Sequence, residues 1–190
     1  MLNNEQALKI FTDSGALMEG HFKLTSGRHS NRYMQCAKVL QYPQYTEQLA
    51  QHIAEKFSQD NVELVIGPAM GGIIVAYEVA RQLGVPGVFT ERQEGKMVLR
   101  RGFTIKPGQR VLVVEDVITT GGSVKEVIET VQELGGEVTG VGLLVDRSGG
   151  QVNFGVRHEA VLTMDITSWA PDECVLCQEG QAIIKPGSRN

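Results

Sequence analysis

In residues 111–123, VLVVEDVITTGGS, a run of apolar positions meets two acids and then a series of small hydroxyl and glycine residues. Val111 to Val114 has the unbroken β-branched character of a strand covered on both faces, as in a parallel sheet. From there the period changes: Val124, Val127, Ile128, Val131 and Leu134 predict a helix over 123–134 that ends at Gly135-Gly136. The same alternation recurs. Leu49, Ile53, Ala54 and Phe57 give helical spacing over Tyr45 to Phe57, and Val62 to Ile66 reads as a strand stopped by Gly67-Pro68. Met70 to Leu83 is again helical, Gly87 to Thr90 a short strand, 110–115 the central strand and 137–145 another; Val161 to Met164 is the last strand, followed by an irregular, helical tail. Strands and helices alternating with crossovers of this length predict a parallel sheet flanked by helices.

The start of the chain breaks that alternation. Ala7, Leu8, Ile10 and Phe11 suit a short amphipathic helix over Asn3 to Thr12, and 21–40 reads as two extended segments around the turn Ser26-Gly27-Arg28. The expectation is a small lobe, 1–40, packed over one end of a core formed by 41–190, within one domain of 190 residues.

Composition narrows the function classes. A formal net charge of −4 and a pI near 5.6 speak against a general nucleic-acid or anionic-membrane surface. No apolar run approaches the ~18 residues of a membrane span, and MLNNEQALKIFTDSG lacks the basic and apolar regions of a signal peptide, so a cytoplasmic protein is expected. Cys36, Cys174 and Cys177 are too few for a disulfide framework. Cys174-Val-Leu-Cys177 has the spacing of half a zinc site, but no second Cys/His pair with ligand spacing follows it, and the expectation is reduced, structural thiols.

In an open parallel sheet, ligands bind beyond the carboxyl ends of the strands, near the point where strand order reverses. That gathers Gly67 to Gly72 (GPAMGG), the segment after Thr90, Glu115 to Ser123, and Asp146-Arg147 around one crevice. A small-residue loop leading into a helix presents unpaired N–H groups, which with the helix dipole favour a phosphate. The acids cannot bind that phosphate, because like charges repel, but they can accept from hydroxyls or help hold a divalent cation. A ribose 5-phosphate satisfies both halves. The G-x-x-x-x-G-K-[ST] and G-x-G-x-x-G patterns are absent from the strand-to-helix turns.

VLVVEDVITTGGS resembles the phosphoribosyl-pyrophosphate (PRPP) signature of the type I phosphoribosyltransferases. The resemblance implies their fold, a Rossmann-like parallel sheet flanked by helices with a small N-terminal hood. It also implies that Glu115 and Asp116 contact the ribose hydroxyls, while Val117, Ile118, Thr119, Thr120, Gly121, Gly122 and Ser123 hold the 5-phosphate and GPAMGG meets the pyrophosphate. TERQEGKMVLRRGF, 90–103, carries Arg92, Lys96, Arg100 and Arg101. Alone it reads as a solvated hairpin; the resemblance makes it a mobile loop that closes Arg92 and Lys96 over the pyrophosphate, often in the neighbouring subunit of a homodimer. Gln93 stands where many members have a second lysine, and Met97-Val98 where a histidine follows the loop's lysine.

FKLTSGRHSNRYMQCAKV resembles the N-terminal lobe of orotate phosphoribosyltransferases, Leu24 to Ser30 and Tyr33 matching a stretch that lies over the base. Thr25 stands where many members have lysine, and Met70-Gly71 where many have Tyr-Lys. Arg147 and Thr119 match orotate contacts, and a guanidinium can grip orotate's carboxylate with two hydrogen bonds. What is implied is transfer of ribose 5-phosphate from PRPP to orotate, giving orotidine 5-phosphate and pyrophosphate in de novo pyrimidine (UMP) biosynthesis. Lys96 and Asp116 would be catalytic, with Mg2+ as cofactor, associated indirectly with Glu115 and Asp116. Two alternatives stay open: a purine-base phosphoribosyltransferase, which would need an aromatic or apolar clamp in place of Arg147, and a non-catalytic PRPP-sensing regulator, suggested by the missing lysines. No helix-turn-helix extension or strongly basic face supports the regulator.

Overall fold

Asn3 opens the first helix, α1 (Asn4–Asp13), with a capping box: its side chain accepts from Gln6 N at 2.8 Å, and Gln6 Oε1 accepts from Asn3 N at 3.0 Å. The computed structural model describes residues 1–24 and 26–186, so the Thr25 departure lies outside the described residues. After α1 come β1 (Leu17–Lys23), β2 (His29–Met34), α2 (Ala37–Leu40), α3 (Pro43–Phe57), β3 (Leu64–Pro68), α4 (Gly71–Leu83), β4 (Gly87–Gln93) and β5 (Lys96–Leu99). The chain continues through β6 (Arg110–Ile118), α5 (Gly122–Glu133), β7 (Glu137–Asp146), β8 (His158–Thr163), β9 (Ser168–Trp169), a 3-10 turn (Pro171–Glu173) and α6 (Val175–Gln178).

The main sheet has the order β5-β4-β3-β6-β7-β8, parallel throughout except for the antiparallel β4–β5 edge. Its central strand shows why both faces are covered. Leu112 and Val114 of β6 pack with Ile53, Phe57, Val75 and Val79 of α3 and α4. Val111 and Val113 point the other way, toward Val124, Val127 and Val131 of α5. All four β6 residues are fully buried, the two-residue period of a strand sandwiched between helix layers. The chain adds β4 on one side of β3 and then β6 on the other, so strand order reverses there and the loops after β3 and β6 open side by side.

Three sequence expectations are corrected. The central strand does not stop at 115 but runs to Ile118, because β7 is long enough to pair Glu115 with Leu143 and Ile118 with Asp146. Residues 37–40 are helical and not extended. The tail is only briefly helical: Ser168-Trp169 adds a strand to β1 and β2, and Ile184 exchanges backbone hydrogen bonds with His21 and Lys23 at 2.8 Å each.

The basic segment 90–103 is a folded hairpin. β4 and β5 pair from Thr90 with Leu99 to Gln93 with Lys96 around Glu94-Gly95, both at positive φ, as a two-residue hairpin turn requires. Close to its turn the hairpin is anchored to α5, where Met97 is buried and Thr130 Oγ1 donates to Met97 O at 3.2 Å.

The N-terminal helix joins the main sheet by apolar packing. Ala7 and Phe11 of α1 are fully buried in the same cluster as Val161 and Leu162 of β8. Phe11→Ala should therefore cost about 3–5 kcal/mol. Urea unfolding followed by fluorescence of Trp169, the single tryptophan, and by far-ultraviolet circular dichroism should give coincident transitions that shift together. Two separated transitions would mean that the hood folds independently.

Candidate active site

Beyond Ile118 the chain turns through Thr119 to Gly121 into α5. Gly121 takes φ 72°, and a Cβ there would meet Phe154 and Val152 at 2.8 Å, so only glycine fits. No side chain caps this helix. Its first amides therefore remain open to an anion, and the dipole favours one. Thr119, Thr120, Gly122 and Ser123 are exposed around them. A cavity of about 370 Å3 lies here, lined by Glu115, Val117 to Val124, and Glu126. The segment 117–123 read from the sequence as a phosphate seat is thus brought together on one cavity. Glu126 was not foreseen, although it follows Ser123 at the i+3 spacing that shares a helix face.

Glu115 lines that cavity, and its neighbour Asp116 lies against the loop after β3. Glu115 is 8% exposed, and burial holds its carboxyl well above the usual carboxylate range, with the charge of Asp116 adding to the effect. Burial raises Asp116 as well, opposed by hydrogen bonds that include Val117 N to Asp116 Oδ1 at 2.8 Å. The loop after β3 makes room for them. A Cβ on Gly71 would overlap the Asp116 carboxylate, and one on Gly72 would stand 3.3 Å from Glu115 Oε1. Gly71 thus leaves the space that the Asp116 carboxylate fills.

Arg147 leaves β7 with its amide donating to Ile118 O at 3.0 Å, one residue before Thr119. Its side chain is half-buried, and among the described residues its Nε is a buried donor with no partner. Burial lowers its pKa from the ordinary guanidinium value, opposed by the nearby Tyr33 and Cys36 of the hood. Cys36 Sγ in turn lies 3.6 Å from Asp116 O, and burial followed by the charge of Asp116 pushes its thiol pKa up. Hood, acids and Arg147 thus meet at one end of the sheet.

The hairpin cations lie further out. Arg92 donates to Glu126 Oε1 at 2.9 Å and to Gly95 O at 2.7 Å, which brings it to the rim of the cavity through Glu126. Arg101 grips Glu91 with two bonds of 2.8 and 2.7 Å, while Lys96 and Arg100 are exposed. Arg28 is taken by Ser168, its Nε donating to Ser168 Oγ at 2.9 Å.

An uncapped helix start beside a buried acidic pair, at the point where strand order reverses, suits a phosphorylated sugar. Residues 39–154 match the family described as phosphoribosyl transferase domain. The chain belongs to the phosphoribosyltransferase family. It is 62% identical over 188 residues to the orotate phosphoribosyltransferase of Desulforamulus reducens, covering 99% of this chain and 98% of that one. With the orotate phosphoribosyltransferase of Pelotomaculum thermopropionicum the identity is 60%, covering 99% of each. The crystal structure of orotate phosphoribosyltransferase from Aeropyrum pernix is similar with a TM-score of 0.67 and 29% identity, over 82% of this chain and 92% of that one. The fold is that of a type I phosphoribosyltransferase, and the chain is a transferase of that family.

For a phosphoribosyltransferase, the contact between Gly71 and Asp116 gives a direct test. Gly71→Ala should displace the Asp116 carboxylate and lower kcat/KM for phosphoribosyl transfer by at least about tenfold, the scale of losing a charge-assisted hydrogen bond, with the circular dichroism spectrum retained. A variant of full activity would show that this position of Asp116 is not needed.

Proposed function

We propose that this chain transfers the ribose 5-phosphate group of PRPP to orotate, giving orotidine 5-phosphate and pyrophosphate for UMP synthesis. The observation that carries the reading is Arg147: a half-buried guanidinium with an unpartnered Nε, next to the phosphate seat and the acidic pair. An anionic base with a carboxylate answers that donor, whereas adenine or hypoxanthine offers it no charge. The names of the full-length relatives support the same substrate. An assay with PRPP and Mg2+ should consume orotate and leave adenine and hypoxanthine untouched; preference for a purine would overturn the reading.

In this mechanism the 5-phosphate sits on Val117 to Ser123 and the open amides of α5. Glu115 and Asp116 accept from the ribose hydroxyls, and their negative charge faces the oxocarbenium-like sugar that forms as pyrophosphate departs. Thr119 and Arg147 orient orotate so that a ring nitrogen faces the anomeric carbon. Arg92 and Lys96 close over the pyrophosphate and exclude water that would hydrolyse the activated sugar. Glu115 and Asp116 offer hard carboxylate oxygens and would help to hold Mg2+. When bound, Mg2+ neutralises pyrophosphate charge and makes it a better leaving group.

Residues 1–40 act as the hood over a core of 41–190. The working unit is a homodimer in which the β4–β5 hairpin serves the partner's site, and the protein works in the cytoplasm. Exposure of Lys96 at the hairpin supports the shared site. No helix among the described residues is long and apolar enough to cross a membrane.

Two variants test the assignments. Arg147→Ala should raise the orotate KM roughly ten- to hundredfold, the ~1.5–3 kcal/mol of a charge-assisted bidentate pair, and move the PRPP KM little. An unchanged orotate KM would send the carboxylate elsewhere. Lys96→Ala should lower kcat by about two to three powers of ten while the PRPP KM moves only a few-fold, as expected of an interaction made in the transition state. Mixed with an inactive Asp116→Asn chain, it should recover part of the activity; no recovery in proven heterodimers would make each subunit self-sufficient.

A further inference from the structure

Away from the crevice, four side chains from three parts of the chain converge. His21 of β1 and His29 of β2 sit on paired antiparallel strands, where His29 lies opposite Lys23. Cys174 and Cys177 come from the first turn of the tail segment around α6. One ligand atom from each lies within 4.8 Å of all the others. His21 Nε2 is 3.1 Å from His29 Nδ1, 3.4 Å from Cys174 Sγ and 3.7 Å from Cys177 Sγ, and Cys177 Sγ is 3.3 Å from His29 Nδ1. Bonds of ~2.0–2.1 Å to nitrogen and ~2.3 Å to sulfur put the corners of a tetrahedron about 3.3–3.8 Å apart. Those four separations are within a few tenths of an ångström of that size, and the whole set lies within 4.8 Å.

Hydrogen bonding among the four groups does not account for this arrangement. His21 Nδ1 lies 2.9 Å from the Gln181 carbonyl, which can only accept, so Nδ1 carries the proton and neutral His21 keeps a single lone pair on Nε2. Three groups crowd around that one lone pair. A shared cation accounts for all three, and the Gln181 carbonyl is then the outer partner that fixes the ligand's tautomer and aim. His21, His29 and Cys174 are buried while Cys177 is exposed, which leaves a route of entry.

We propose that His21, His29, Cys174 and Cys177 bind zinc as a closed structural site, separate from the reaction. Two thiolates and two imidazoles in a tetrahedral set select Zn2+ over the hard Mg2+, and four protein ligands leave no position for a substrate. The site clamps the C-terminal tail to the hood. His21 and Cys174 are 153 residues apart, and the tail otherwise meets the N-terminal strands through the short β2–β9 ladder, Ser30 Oγ to Thr167 O at 2.8 Å, Arg28 to Ser168, His21 to Gln181 O and the Ile184 bridge. A metal cross-link over such a loop fixes tail and hood as one piece. The expectation of merely structural thiols looked for a second ligand pair downstream of Cys177; the pair lies upstream, on the hood hairpin.

The full chain, purified under reducing conditions from zinc-supplemented cells and dialysed against metal-free buffer, should hold about one zinc per chain by mass spectrometry of the elements. Cys36→Ser should keep it, and Cys174→Ser and Cys177→Ser should lose at least about fivefold. A variant that fails to fold would lose the metal for another reason, so the wild type gives the deciding readout. Stripped of zinc and titrated with Co2+, it should develop the visible absorption of tetrahedral cobalt and a thiolate-to-cobalt band in the near ultraviolet, and its Tm should rise on reloading. Folded wild type that retains no zinc and gives neither cobalt band, or that carries a Cys174–Cys177 disulfide when freshly purified, would overturn the proposal.

Discussion

Glu115 and Asp116 bring two neighbouring carboxylates into ground largely closed to water, which is costly unless hydroxyls, amides or a cation answer them. The surrounding architecture follows from that constraint. β6 must run three residues past Glu115 so that the ladder with β7 holds the acids rigidly. The loop after β3 offers glycine at 71 and 72, and the Asp116 carboxylate fills the space that a Cβ at 71 would take. The helix that follows must begin uncapped, so that positive potential stands one loop away from negative charge. A carboxyl whose pKa is raised on folding holds its proton more tightly in the folded chain. Stability contributed by such a group therefore falls as pH climbs from the ordinary range near ~4 through the raised value, and the penalty is full above it. At neutral pH the unliganded acids weaken the fold, and a ligand that supplies hydroxyl donors relieves them.

A rigid floor of parallel strands needs a cover that can be positioned, and here both ends of the chain build it. β1 and β2 bring Tyr33 and Cys36 toward Arg147 and Asp116, while β9 from the tail completes their sheet. The zinc clamp we propose acts on this cover: it ties the strands that bear His21 and His29 to a tail with little regular structure of its own. On that account its loss would loosen the hood first and the sheet, with its own apolar core, much later.

Sequence alone revealed the parts whose signal is local. The unbroken run Val111 to Val114, the helical spacing from Val124 and the small-residue turn between them name the central strand, the helix and the loop that lines the cavity. What escaped depends on distant partners. Ser168-Trp169 becomes a strand only because β2 offers an edge. The fit of Gly71 against Asp116 depends on how β3 and β6 are registered, which no spacing within either segment encodes. Cys174 and Cys177 find His21 and His29 only once the hood has folded back over the tail.

The most direct test of the role given to the acidic pair is the affinity of the resting site for a sugar that lacks one hydroxyl. Calorimetric binding of ribose 5-phosphate and 2-deoxyribose 5-phosphate, with Mg2+ present, should favour the ribose form by at least about tenfold in the wild type, because a buried acceptor left without its donor costs ~1.5–3 kcal/mol. Asp116→Asn should bring the two affinities together. Equal binding of both sugars by the wild type would contradict the account, for it would mean that the buried acids do not read the ribose.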